Sequence, residues 1–190
     1  LVFNPFRENT YVAWDDTKEC VIVDAGNMVE GENRILKEFI EAHGLKPVMA
    51  VNTHGHFDHV WGAADLKTKT GAKVYIHEAD ASMAEGKASY ISAMSYGLKP
   101  CAADVFVREG DRIEAGGLTF RVLETPGHTK GGVCYIVDSE MTAFSGDTLF
   151  CESVGRTDLG GNIRELMDSL FHKLYALDGY ILALVLVCEE

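Results

Sequence analysis

Apolar and polar positions alternate in short runs along most of the chain, broken by three stretches that read as helix. Thr10–Trp14 and Cys20–Val23 are rich in β-branched and aromatic residues and flank the polar turn Asp15-Asp16-Thr17-Lys18, which predicts a hairpin. Asp24-Ala25-Gly26 ends its second strand. From about Glu30 to His43, Ile35, Leu36, Phe39 and Ile40 recur at helical spacing, with Gly44 as the stop. Pro47–Thr53 reads as a buried strand, Ala63–Lys69 as a helix ending at Gly71, and Lys73–Ile76 as a short strand. A second group of strands follows at Val105–Val107, Arg112–Glu114, Leu118–Glu124, Val133–Val137 and Thr142–Ser145. Their turns are Glu109-Gly110-Asp111, Gly116-Gly117 and Asp138-Ser139. The pattern closes with a helix from about Ile163 to Leu177 and an apolar strand, Tyr180–Val187. The helix carries Ile163, Leu166, Leu170, Leu174 and Leu177 on one stripe.

Strands with a helix, then strands with a helix again, predict an α/β protein with two sheets between helical layers. A length of 190 residues fits one domain over 1–190. Residues 78–104 differ in character: small residues, Met83, Met94, Tyr90 and Tyr96 read as helical pieces. They form either a lid over a site or a plain surface insertion.

Charge narrows the function classes. With 17 basic against 29 acidic residues the net charge is −12, and no basic run occurs, which excludes a phosphate-binding surface for nucleic acid. No apolar run approaches the roughly 18–20 residues of a membrane span. Cys20, Cys101, Cys134, Cys151 and Cys188 are odd in number and lack a C-x-x-C, so they read as reduced thiols in a cytoplasmic protein. Cys151 is expected to be a small buried residue rather than a ligand. The chain opens on Leu1 rather than Met, so removal of an upstream segment is one expectation.

The candidate chemistry is concentrated in Val51-Asn52-Thr53-His54-Gly55-His56-Phe57-Asp58-His59. Three of the seven histidines fall within six positions here, at the end of an apolar strand, which argues against a chance cluster. In an extended loop His54 and His56, at i and i+2, point to one side. If the chain then turns into a helix, Asp58 and His59 are offset toward a neighbouring position. That pattern suits two adjacent cations, one held by imidazoles and one by a carboxylate and an imidazole. His128, in the glycine-rich loop Glu124–Gly132, and Asp147, in Ser145-Gly146-Asp147-Thr148, each follow a predicted strand. An aspartate so placed can bridge two cations.

Taken in order, Asn9-Thr10-Tyr11, Val23-Asp24-Ala25-Gly26, Thr53–His59, Thr125-Pro126-Gly127-His128-Thr129, Ser145–Phe150 and Gly155-Arg156-Thr157-Asp158 resemble the metallo-β-lactamase superfamily. Within it they resemble the glyoxalase II-like branch of hydroxyacylglutathione hydrolases. The resemblance implies a four-layer αββα sandwich. It implies that His54, His56 and His128 bind a first metal, that Asp58 and His59 bind a second, and that Asp147 bridges, with Asp24 steadying the histidine loop. The cofactor it implies is Zn2+, one or two per chain, with iron as an alternative. The branch carries a further histidine in a Gly-His-Gly turn after the last core strand, but no histidine follows His172 here. The C-terminal end is therefore expected to be incomplete and the second site the weaker. The helical domain that binds glutathione in glyoxalase II has no counterpart within these 190 residues.

Three functions compete. The first is a metal-dependent hydrolase of a small-molecule thioester, hydroxyacyl-glutathione-like, in which hydroxide supplied by the metal attacks and Asp58 orients it. The second, by resemblance to persulfide dioxygenases, is an oxidoreductase with one iron held by His54, His128 and Asp147. The third is a non-catalytic member in which His54, His56, His128 and Asp147 close a structural zinc site.

Overall fold

The computed structural model describes residues 1–87, 97–177 and 182–184. The chain starts with two short paired strands, β1 (Val2–Phe3) and β2 (Glu8–Asn9), too brief for alternation to reveal. The predicted hairpin follows as β3 (Tyr11–Trp14) and β4 (Glu19–Val23). Helix α1 (Glu30–Ala42) starts at Val29, which offers no capping oxygen. Glu32 supplies it instead, accepting from the backbone N–H groups of Met28 (2.6 Å) and Val29 (3.2 Å). The same carboxylate accepts from Asn4 N–H at 2.7 Å, tying the N-terminal loop to the helix.

Strand β5 (Lys46–Val51) leads through the histidine loop into α2 (Phe57–Val60), and α3 (Ala63–Thr70) precedes β6 (Lys73–His77). Helix α4 (Ala81–Ala84) and β7 (Val105–Val107) flank the predicted excursion, of which residues 88–96 lie outside the described residues. Its described flanks bury Ala84, Leu98 and Cys101, with Ala84 and Leu98 packing against Val60, Trp61 and Ile76. Then come β8 (Arg112–Ala115), β9 (Leu118–Glu124), β10 (Val133–Val137) and β11 (Thr142–Phe144), followed by a second unforeseen short pair, β12 (Leu149–Phe150) and β13 (Ser153–Val154). Helix α5 (Ile163–Asp168) is capped by Asn162 and continues as a π-helical stretch to Leu174; β14 (Leu182–Leu184) pairs parallel with β11.

Two five-stranded sheets result, β3-β4-β5-β6-β7 and β14-β11-β10-β9-β8. Period-2 alternation assigns each strand's two faces to different layers. On β4, Val21 and Val23 join Phe120, Val122 and Tyr135 between the sheets, whereas Cys20 and Ile22 meet Leu36 of α1 and Leu66 of α3. On β10, Val133, Tyr135 and Val137 face the first sheet, while Cys134 and Ile136 pack on Leu166 and Leu170 of α5. A one-residue slip of β10 would drive Tyr135 into α5, so register is strongly specified. The layers are therefore helix, sheet, sheet, helix, as the resemblance implied.

Two expectations need correction. Ile163 is 53% exposed, so the apolar stripe of α5 that packs on the second sheet begins at Leu166. Cys151 is exposed, not buried, because it sits at the tip of the β12–β13 turn.

Candidate metal centre

Every candidate residue lies just beyond the end of a strand. The loop leaving β5 carries His54 and His56, and α2 begins immediately after, placing Asp58 and His59 in its single turn. The loop after β9 carries His128, and a tight turn after β11 carries Asp147. Asp24 follows β4 in the left-handed region, at φ +51°. Four strand ends from two sheets thus meet at one edge of the sandwich.

His54, His56 and His128 are buried and each offers a nitrogen within 4.8 Å of the others. The hydrogen bonds decide which nitrogen. Thr53 Oγ1 donates its one proton to Asp24 Oδ2 at 2.7 Å, so its 3.1 Å contact with His54 Nδ1 requires Nδ1–H to be the donor. That leaves a lone pair on His54 Nε2, which is buried with no hydrogen-bond partner among the described residues. His128 Nδ1 donates to the Arg156 carbonyl at 2.6 Å, so its Nε2 carries the lone pair and accepts from His56 Nδ1 at 2.7 Å. A buried nitrogen lone pair without a donor is costly, and a cation removes the cost. The three imidazoles fit a metal.

Beside them lies a second set. His59 Nδ1 is 3.0 Å from Asp24 Oδ2, so its Nε2 faces Asp147 Oδ1 at 3.2 Å and Asp58 Oδ2 at 3.8 Å. The other Asp147 oxygen lies 3.4 Å from His128 Nε2, so this carboxylate touches both sets. Asp24 also accepts from Thr53 N–H at 2.7 Å and so anchors the histidine loop and His59 together. All six predicted residues are brought together.

Burial and the neighbouring imidazoles hold His54 well below the usual histidine range and push His56 down to about 3. His59 goes the opposite way. Burial opposes its charge, but Asp147, Asp58 and Asp24 together hold its pKa well above the ordinary value. Burial raises Asp58; on Asp147 it is overridden by His59, and that carboxyl is lowered.

A cavity of about 260 Å³ opens over these groups, walled by Phe6, Tyr11, Phe57, Phe150 and Leu159. Asn4 Nδ2 donates to the Gly26 and Asp58 carbonyls, both at 3.0 Å, which seats Phe6 edge-on against Phe57 at 5.2 Å. Glu8 is a further lining residue that pattern reading did not single out; it is 2% exposed, and burial raises its carboxyl well above the usual range. An acidic residue beside Asn9-Thr10-Tyr11 was visible, but nothing local marks it as buried.

The model for the metallo-β-lactamase superfamily matches residues 3–182. The hydroxyacylglutathione hydrolase GloC of Haemophilus influenzae is 34% identical over 183 residues, covering 93% of this chain and 84% of the relative. Among solved structures, the BLEG-1 B3 metallo-β-lactamase superposes with a TM-score of 0.83 at 32% identity, covering 95% of this chain and 87% of that one. The structure of ETHE1 from Myxococcus xanthus gives 0.77 at 30%, covering 96% and 72%. TTHA1623 in a di-iron-bound form gives 0.76 at 33%, covering 93% and 85%.

Proposed function

Because the chain belongs to the metallo-β-lactamase superfamily, we propose that it is a metal-dependent hydrolase cleaving a small thioester of the hydroxyacyl-glutathione type. The observation that carries this reading is the Asp58–His59 pair set against Asp147, which in turn touches His128 of the imidazole set. A one-metal oxygen-activating site has no need of that second set. His54, His56 and His128 would hold the first cation, Asp58 and His59 the second, and Asp147 would face both; zinc suits these donors, and iron is compatible with them. When bound, such a metal lowers the pKa of water from about 15.7 to about 7 and polarises a carbonyl.

The chain's own residues do the rest. Asp24 and Thr53 fix the orientation of His59 and His54, with Nε2 turned inward in each. Asp58, partly open to the cavity, is placed to accept a proton from an attacking water and orient it. Phe6, Phe57 and Phe150 exclude bulk water and offer an apolar wall to an acyl group. A thioester suits the site because its thiolate leaves without strong acid assistance. No disulfide joins the four described cysteines, which supports a reducing compartment such as the cytoplasm.

The similarity to ETHE1 and the His54, His128, Asp147 grouping favour a second reading, a single-iron persulfide dioxygenase-like enzyme. Metal counting with parallel thioesterase and oxygen-consumption assays separates the two. Thioester turnover without oxygen uptake supports hydrolysis. Oxygen uptake with one iron per chain replaces it, and a tightly held metal with neither activity leaves the structural zinc site.

A further inference from the structure

Asp80 stands outside the ligand set and outside every motif of the sequence, yet it is among the most completely buried polar residues of the chain, with no exposed surface. It closes the turn after β6 and precedes α4. An aspartate there ordinarily caps its own helix. Asp80 makes no such bond. Its Oδ2 accepts from Gly55 N–H at 3.0 Å and its Oδ1 from Gly131 N–H at 2.8 Å. Gly55 lies between His54 and His56, in the loop from the first sheet. Gly131 lies three residues after His128, in the loop from the second.

We propose that Asp80 is the positioning residue of the metal centre: one carboxylate that clamps the two ligand loops of opposite sheets in register, so that His54, His56 and His128 converge before any cation binds. The inference rests on reading these three residues as one metal site and is independent of substrate. Other bonds link the halves further down, Val133 N–H to the Thr53 carbonyl at 2.8 Å and Tyr135 Oη to the Asn52 carbonyl at 3.1 Å, but these join strand ends. Asp80 acts at the loop tips, where the imidazoles are.

The glycines fit this role. A Cβ on Gly55 would lie 2.6 Å from the Asp80 carbonyl oxygen, and one on Gly131 would lie 2.7 Å from the Asp80 carboxyl carbon. Only glycine lets both loops close on the clamp. Pressing imidazoles together costs free energy when no cation balances their lone pairs, and two hydrogen bonds donated by the loops to one buried carboxyl group offset part of that cost. The consequence is preorganisation: metal binding need not order the loops.

The test uses the full chain, zinc in chelator competition, and cobalt absorption as a report on ligand geometry. Asp80→Asn keeps one acceptor but turns an amide toward an N–H donor. It is expected to weaken zinc binding about 10–100-fold, the usual effect of losing an outer partner of a ligand, and to alter the cobalt bands. Val74→Ala, a cavity in the core beneath α3, is the control: it lowers thermal stability and leaves zinc affinity and cobalt bands unchanged. Should Asp80→Asn fail to fold, amide exchange on the metal-free wild type decides. Gly55 and Gly131 are expected to be protected, and exchange at open-loop rates overturns the clamp. Unchanged zinc affinity in Asp80→Asn, or an equal loss in Val74→Ala, overturns the inference alone. A wild-type protein that takes up no zinc overturns the metal centre and this inference with it.

Discussion

His54, His56 and His128 meet as buried imidazoles held by a hydroxyl, a backbone carbonyl and one another. Asp58, His59 and Asp147, a few ångströms away, pair an imidazole with two carboxyl groups, 3.2 Å from Asp147 and 3.8 Å from Asp58. The first set has a lone pair with nothing to accept, on His54 Nε2. The second carries a proton on His59 in the place a cation would take. Two neighbouring sites built on one edge of one sandwich therefore differ in what they lose when empty: the first is left with an unmet acceptor, the second with a stable ion-pair network.

The largest expected effect breaks the first set. His54→Ala removes one of three nitrogens, so first-site metal should fall by more than the roughly 100-fold that loss of an outer partner can cost. Turnover should vanish with it, as metal analysis and activity assays on one preparation would show. Full metal content in this variant would mean that the three imidazoles are not a ligand set.

Asp58→Asn tests the second set alone. It should cost about 10²–10⁴-fold in thioester turnover, the usual scale for a group that moves or orients a proton. Folding and first-site metal should be unaffected, by thermal melt and metal analysis. Wild-type turnover here would sink the two-set mechanism and favour the single-iron reading.

A chelator titration sharpens the contrast. Because a cation must displace existing ion pairs in the second set but fills an unmet need in the first, the second should empty first. A gap of at least tenfold in dissociation constant, about 1.4 kcal/mol, is expected. Two equal equivalents would erase the difference between the sets.

The smallest effect concerns protons. His59 has a pKa raised well above its ordinary value, so at pH 7 the metal-free protein holds that proton and a cation at Nε2 must release it. Zinc calorimetry in two buffers of different ionisation enthalpy should show up to about one proton released as the second equivalent binds. Buffer-independent heats would mean that His59 is neutral without metal.

Much of this centre was legible along the chain because its candidate donors follow strand ends in short, glycine-marked loops. The spacing of His54 and His56, the shift to Asp58 and His59 as the chain turns into α2, and the isolated positions of His128 and Asp147 are all local features. The main strands and helices were legible for the same reason: alternation and helical spacing are written within a single element. The paired strands β1–β2 and β12–β13 were not, since two residues carry no period. The stripe assigned to α5 began one turn early because helical spacing identifies a face but not which of its residues meet a partner.

The sequence by itself determined the candidate donor types, their order and the layered class of fold, because donor chemistry and hydrophobic period are properties of residues and short segments. Only the tertiary structure decided which nitrogens face inward, that Asp147 touches both sets, that Glu8 is buried at the cavity wall, and that Asp80 bonds Gly55 and Gly131 instead of its own helix. Each of these depends on contacts between segments far apart in the chain. Hydrogen-bond direction and burial belong to the meeting of two surfaces, and neither surface carries them alone.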